Sequence, residues 1–496
     1  MGIIKRQSIK NSLVSYLGVI IGALSTIFIY PLIDSKDLGL VSFIISNVTI
    51  LVPFASFALS YTVIHFFPIF KDEKRQHNGF LFLVTSATLV TSLIFTGLIY
   101  LFRIELSHYF GKESTDFLNS LPYILVITVV FAQSILFTAY ASNFNRIVVP
   151  NIFQNLLMKI IQPFLILLFF YSIISLESVF KGVTLGYILG LIGLIGYIAN
   201  LKQLHLKPNK TFLTPVLRKQ IVSYSAFNIL VLSGAFLSSS VDKMLIGPMI
   251  SFKAVAVFNI ASLIAETIDV PRKALAGIAA PLISESMKKD DIGHVHDIYR
   301  KTAYLQTLAG VFFLAGIWAC TDSLFDLMPK NSDIYREGKY VVLILGLVRL
   351  VDMSTGTNSE IITYSKYYRF NLLSLAIMAG LNIALNLLLI PPFQLVGSAL
   401  ATLISTTIVN YWRMIFIYQK IKIHPLQVNM IWVVLIGFLA WYVAFLTPSV
   451  SSPLINILLK GSIVTVLFLS GILYFKLSED VQKVYDKVYK KIVSFR

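Results

Sequence analysis

Long apolar runs, separated by short charged segments, repeat along the whole chain. A helix crossing about 30 Å of hydrocarbon needs roughly 20 mostly apolar residues, and fourteen runs meet that length. The first seven are Ile9–Ile33, Leu40–Phe67, Phe80–Phe102, Leu121–Tyr140, Ile152–Ile174, Val179–Ala199 and Ile221–Ser240. The second seven are Ala254–Ile283, Thr302–Leu324, Tyr340–Glu360, Leu372–Ile390, Val396–Tyr418, Met430–Leu446 and Leu454–Phe475. The pattern predicts an all-α membrane protein of fourteen transmembrane helices.

Composition agrees with lipid as the solvent. Of 496 residues 56% are apolar and 13% charged, against roughly 45–50% and about 25% in soluble domains. Mean hydropathy is +0.79. The connections between spans do not exceed roughly 20 residues, which leaves no room for a soluble catalytic or nucleotide-binding domain, so no enzymatic activity is expected. A single cysteine, Cys320, excludes an internal disulfide and any multi-cysteine metal site, and neither metal nor cofactor is expected.

The net charge of +17 would point to nucleic acid in a soluble protein, but here it reads as topology. With the N-terminus inside, the cytoplasmic segments hold 27 Lys and Arg and the outer loops 9, which fixes both termini as cytoplasmic and removes nucleic acid as a partner. Lys5, Arg6 and Lys10 precede an apolar stretch too long for a signal peptide, and the first helix is read as retained. Residues 477–496 place Val481, Val484, Val488 and Ile492 on one stripe, the pattern of an amphipathic helix on the cytoplasmic face.

The chain also repeats itself. Pro31 and Lys36 recur as Pro248 and Lys253 at an offset of 217, Pro53 as Pro271 at 218, Arg146 as Arg369 at 223, and Gly182 as Gly397 at 215. This superimposes spans one to six on spans seven to twelve. Because six is even, the two halves share an orientation and are related by a pseudo-two-fold axis along the membrane normal, as in many transporters. The predicted organisation is an N-terminal lobe at 1–205, a C-terminal lobe at 206–425, two extra helices at 426–476 and the tail at 477–496.

Setting aside the bases near span ends, which are counted with the adjoining segments, five are assigned to the spans themselves: Lys159, Arg272, Lys273, Arg349 and Lys460. Three acids join them, Glu266, Asp269 and Asp352, so the cavity they face should prefer an anion. An ionisable group at the centre of a spanning helix costs about 2.5–3.5 kcal/mol unless it meets water, a partner or a substrate. Span eight carries four within eight residues. Asp269 and Lys273 stand at i,i+4, Arg349 and Asp352 at i,i+3, spacings suited to intrahelical pairs. Pro271 frees the carbonyl of Thr267 and should kink span eight; with Pro53 it is a hinge candidate. Lys159 and Lys460 reach toward the inner and outer leaflets, and Asn358, Asn382 and Asn386 are read as interhelical hydrogen-bonders.

Several stretches resemble the oligosaccharide flippases of the multidrug/oligosaccharidyl-lipid/polysaccharide exporter superfamily, over essentially the whole chain. They are "VDKMLIG" at Val241–Gly247, "VPRKAL" through "APLISES" at Val270–Ser286, "DMSTGTNSEIITYSKYYR" at Asp352–Arg369 and "NLLLIPPFQLVGSALATLIS" at Asn386–Ser405. The resemblance implies a monomeric, two-lobed, MATE-like fold in the bacterial inner membrane, with a central cationic cavity. The implied activity is movement of a polyprenyl-pyrophosphate oligosaccharide from the cytoplasmic to the outer leaflet for surface polysaccharide or O-antigen synthesis. Glycosyltransferases and a glycan polymerase would be partners alongside membrane lipids. Arg272, Lys273, Arg349 and Lys159 would then bind substrate, with Glu266, Asp269 and Asp352 balancing charge or carrying a coupling ion. Span one departs from the lipid II flippases, which carry arginines there, since it has no charge beyond Lys10. A cation-coupled drug or metabolite antiporter, or a polytopic glycan polymerase, are the alternative functions.

Overall fold

A computed structural model describes residues 14–144, 146–209, 212–479, 481, 482 and 486, without the side chains of 230–239. Lys5, Arg6, Lys10 and most of the 477–496 tail lie outside the described residues. Within them the protein is helical and has no strand. Eleven helices are long and apolar enough to cross a membrane, or twelve when one bent pair counts as a span. The chain is therefore a multi-pass membrane protein.

The first half comprises α1 (Val14–Leu32), α2 (Ser35–Ala55), α3 (Leu59–Phe70), α4 (Phe80–Leu101), α5 (Ser114–Ser142), α6 (Leu157–Phe170) and α7 (Leu176–Asn200). Then follow α8 (Pro215–Met249), α9 (Phe252–Glu266), α10 (Val270–Lys288), α11 (Ile292–Asp326), α12 (Lys339–Ser354), α13 (Asn358–Tyr364) and α14 (Tyr368–Ile421). Two more, α15 (Val428–Leu446) and α16 (Pro453–Tyr474), complete the order. Capping side chains mark the polar ends. Asp34 accepts from the Lys36 amide at 2.7 Å, Thr214 from Leu217 at 3.2 Å with Pro215 in the first turn, and Asp291 from His294 at 3.0 Å.

Packing divides the chain into two compact units, Met1–Ile260 with Leu372–Ala401, and Ala261–Asn371 with Thr402–Arg496. These boundaries follow contacts, whereas the lobes at 1–205 and 206–425 follow sequence repetition, so the first unit takes in helices of both halves. The first unit has an aromatic core in which Phe67 meets Tyr140 at 5.5 Å and Phe70 meets Phe80 at 4.5 Å. In the second unit α15 and α16 pack on α11 through Val311, Val433, Ala440 and Phe468, with Gly437 pressed against Val311.

Spans two and eight are each interrupted. Span two stops as α2 two residues after Pro53, turns through Phe57 and Ala58 in the left-handed region, and resumes as α3. The break exposes the Ala55 carbonyl, which the buried Ser92 hydroxyl of α4 satisfies at 3.1 Å. A freed backbone group in a membrane needs such a partner. Span eight tightens to a 3₁₀ turn at Thr267–Asp269, with Pro271 in the first turn of α10.

The 54-residue α14 is two helices joined by a reversal. Gln394 has φ 51° and ψ −128°, and a Cβ on Gly397 would lie 2.0 Å from the Leu389 carbonyl oxygen. Only glycine permits that approach. Gly397→Ala should lower the thermal melting temperature of the detergent-purified protein, by an overpacking cost of about 1–3 kcal/mol. Gly380→Ala, with open space around its Cβ among the described residues, should leave it unchanged or higher.

Candidate functional site

The charges singled out in spans eight and ten come together in the second unit. Asp269 sits in the 3₁₀ turn and its side chain is only 3% exposed. Arg272 donates to both carboxylate oxygens, Nε at 2.5 Å and Nη2 at 3.1 Å. Such a fork is the strongest way to hold a buried carboxylate. Lys273 takes the expected i+4 place at 3.4 Å, but its side chain is 65% exposed. Asp269 is therefore anchored by the nearer arginine, and Lys273 is left largely accessible.

Glycine brings α12 close to this turn. A Cβ on Gly346 would press on Leu314 at 2.6 Å and Ile268 at 3.2 Å, so the residue next to Asp269 packs directly on α12. One turn along α12, Arg349 comes within electrostatic reach of Asp269. Its Nε is buried and donates to nothing among the described residues.

The expected Arg349–Asp352 ion pair does not form. Asp352 Oδ1 instead accepts from Asn410 Nδ2 at 2.5 Å, and Asn410 Oδ1 accepts from Asn358 at 3.2 Å. Both residues stand in the same unbroken helix, α12, and the Asp352 carboxylate is taken by the Asn410 amide of α14. Beyond Asp352, α12 ends in a break, a bend of 46° to α13 at Thr355–Thr357. Gly356 adopts φ +63° against Ala303, and Thr302 bonds Thr357 at 3.2 Å across the same break. Interrupted helices whose polar groups are buried in protein are where membrane transporters hold charged ligands.

Arg413 completes the group. It lies five residues before the end of the twelfth run and is counted with the inside segment that follows, yet it is 5% exposed and within electrostatic reach of Asp352 and Glu360, which Arg272 also senses. The cluster thus holds Arg272, Lys273, Arg349 and Arg413 against Asp269, Asp352 and Glu360, an excess of one positive charge. Two expected members are elsewhere. Lys159 belongs to the first unit and lies against Gly18 of α1, and Glu266 is exposed at the end of α9. Lys460 donates to Ser449 at 3.2 Å in the loop before α16.

A second buried polar group occupies the first unit. Asp242 is 6% exposed and accepts from Asn386 at 2.9 Å; Asn386 also donates to Asn382 at 2.8 Å and accepts from Ser398 at 2.7 Å. Asn386 therefore bonds between α14 and α8 as expected, and Asn382 supports it from within α14. Asp242 was missed because the seventh apolar run ends at Ser240. Its signal was the apolar "MLIG" that follows and continues the helix to Met249.

The sequence model described as polysaccharide biosynthesis protein matches residues 4–287, more than half of the chain. An uncharacterized membrane protein of Methanocaldococcus jannaschii is 21% identical over 484 residues, covering 92% of this chain and 93% of its own. Among solved structures, the lipid II flippase MurJ in an inward closed conformation superposes with a TM-score of 0.74 at 14% identity, over 94% of this chain and 99% of its own. A multidrug resistance MATE family transporter of the MOP superfamily, inward-facing, gives 0.63 at 12% identity over 82% and 94%. The fold is therefore the one shared by these two transporters, and with the match over its first 287 residues the chain belongs to the polysaccharide biosynthesis protein family.

Proposed function

We propose that this protein is an alternating-access flippase that carries a polyprenyl-pyrophosphate oligosaccharide from the cytoplasmic to the outer leaflet. The observation that carries this reading is the charge cluster of the second unit. It keeps one positive charge in excess after internal pairing, with the Arg349 Nε unused and Lys273 accessible. Guanidinium forks and an ammonium suit a pyrophosphate, which presents several acceptor oxygens at once. The fold likeness to a lipid II flippase supports the same substrate class.

In this reading Arg272, Lys273 and Arg349 hold the phosphates, and Asp269 and Asp352 set the orientation of the cations. A coupling proton or cation would be held by a buried carboxylate, Asp352 or Asp242, rather than by the exposed Glu266. Fourteen spans fit the helices when the bent α12–α13 pair counts once, α14 divides at Gln394 and the 35-residue α8 is added to the rest. Spans one to six and seven to twelve then form the two lobes, with both termini on the cytoplasmic side of a bacterial inner membrane. Pro53 and Pro271, each beside a break, serve as the hinges between helix halves.

Combined Arg272→Ala and Arg349→Ala substitutions, in a strain dependent on this protein, should remove surface glycan while the membrane level of the protein is maintained. Arg272→Lys should retain part of the export, because charge is kept and the fork is lost. Unchanged surface glycan in the double variant would overturn the assignment. The cation-extruding reading, favoured only by the fold shared with multidrug transporters, makes a different prediction. Deleting the gene should leave susceptibility to a panel of cationic drugs unchanged, and a consistent sensitisation across the panel would favour the antiporter.

A further inference from the structure

Three helix ends of the second unit enclose a polar cavity of about 270 Å³, apart from the charge cluster around Asp269. Lys301, Tyr304 and Leu305 of α11 line one side, Gln427 and Asn429 at the start of α15 a second, and Leu477, Ser478 and Glu479 beyond α16 the third. The charge count assigns all three ends to the cytoplasmic side. Hydrogen bonds fix the wall. Tyr304 donates to the Leu477 carbonyl at 2.5 Å, joining α11 to the chain that leaves α16, and Gln427 Nε2 donates to the Arg300 carbonyl at 2.8 Å, joining α11 to α15. Tyr304, Val433 and Ile472 share one apolar core, and Leu477 packs against it.

Aromatic residues mark the depth of the cavity. Trp432 and Phe475, each within a turn of a lining residue, stack at 6.3 Å; both are exposed, as is Tyr474 at the end of α16. Tryptophan and tyrosine collect where hydrocarbon meets lipid headgroups, and cavities between helix ends on the cytoplasmic side are suited to bind those headgroups. The lining decides which headgroup. Lys301 supplies an ammonium, Glu479 a carboxylate, and Gln427, Asn429 and Ser478 neutral polar groups. One charge of each sign complements a headgroup that carries both a phosphate and an ammonium, whereas the carboxylate repels a headgroup that is only anionic. A primary ammonium can donate to Glu479 and to the two amide carbonyls, which a trimethylammonium cannot. The volume lies just below the roughly 300–1,000 Å³ of sites that enclose whole ligands, which suits a headgroup whose chains stay in the bilayer.

We propose that this cavity holds the headgroup of a phosphatidylethanolamine from the cytoplasmic leaflet, its phosphate toward Lys301 and its ammonium toward Glu479. The bound lipid ties α15 and α16, the two helices outside the repeat, to α11. The site goes beyond the flippase reading and does not depend on the identity of the cargo.

The test titrates the full-length protein, purified in detergent and stripped of lipid, with phosphatidylethanolamine, phosphatidylcholine or phosphatidylglycerol, reading binding by native mass spectrometry and thermal unfolding in parallel. Phosphatidylethanolamine should bind about tenfold more tightly than either of the others and raise the melting temperature, as a ligand of the native state does. Lys301→Ala should weaken that binding about tenfold, and Glu479→Gln should erase the preference over phosphatidylcholine. Lys289→Ala, which removes an exposed lysine outside the cavity, should change neither. Soluble glycerophosphoethanolamine should not compete at the concentration of the lipid. Equal affinity for the three lipids, a Lys301→Ala protein that binds like Lys289→Ala, or competition by the soluble headgroup at that concentration would overturn the site. None of these readouts uses glycan export, so failure of the lipid site is distinguishable from failure of the flippase reading in the Arg272 and Arg349 variants.

Discussion

A charged group in a membrane must be paired, hydrated or used, and the second unit of this protein is organised around that constraint. Asp269 is buried in a helical break and is held by the Arg272 fork. Lys273, at 3.4 Å, is a second cation on the same carboxylate. The pair in turn needs Gly346 to admit the turn and α12 to present Arg349. Near the end of α12, Asp352 meets Asn410 of α14, the helix that also brings Arg413 into the group.

The breaks themselves obey the same rule for the backbone. Proline ends a helix, and each liberated carbonyl or amide must find a partner that is not lipid. Ser92 supplies one at Ala55, and the Thr302–Thr357 bond steadies the break in span ten. Many of the other serine and threonine hydroxyls in these apolar helices bond the carbonyl one turn back in their own helix, as Thr26 does to Gly22, Thr128 to Ile124 and Thr307 to Ala303.

Much of this was legible from residue pattern. Apolar run length gave the helices, because hydrocarbon thickness fixes it, and Pro271 marked the break in span eight, because a missing N–H acts locally. The gathering of Asp269, Arg272 and Arg349 followed from the cost of burying charge. What could not be read was anything that depended on helix termini and tertiary direction. Asp352 is taken by Asn410 of another helix and not by Arg349, and Arg413 near the end of its apolar run and Asp242 just beyond one were not recognised as buried. The reversal at Gln394 was placed correctly between runs eleven and twelve, since the two prolines Pro391 and Pro392 announce it.

The central claim is that this cluster binds the pyrophosphate of a lipid-linked glycan. Its most direct test is the affinity of the purified protein, in lipid nanodiscs, for a polyprenyl-pyrophosphate oligosaccharide, compared with the same glycan on a neutral lipid. The account predicts a clear preference for the pyrophosphate lipid that is lost, by roughly tenfold or more, when Arg272 and Arg349 are both alanine. Equal affinity for the charged and neutral lipids, or affinity untouched by the two substitutions, would contradict it.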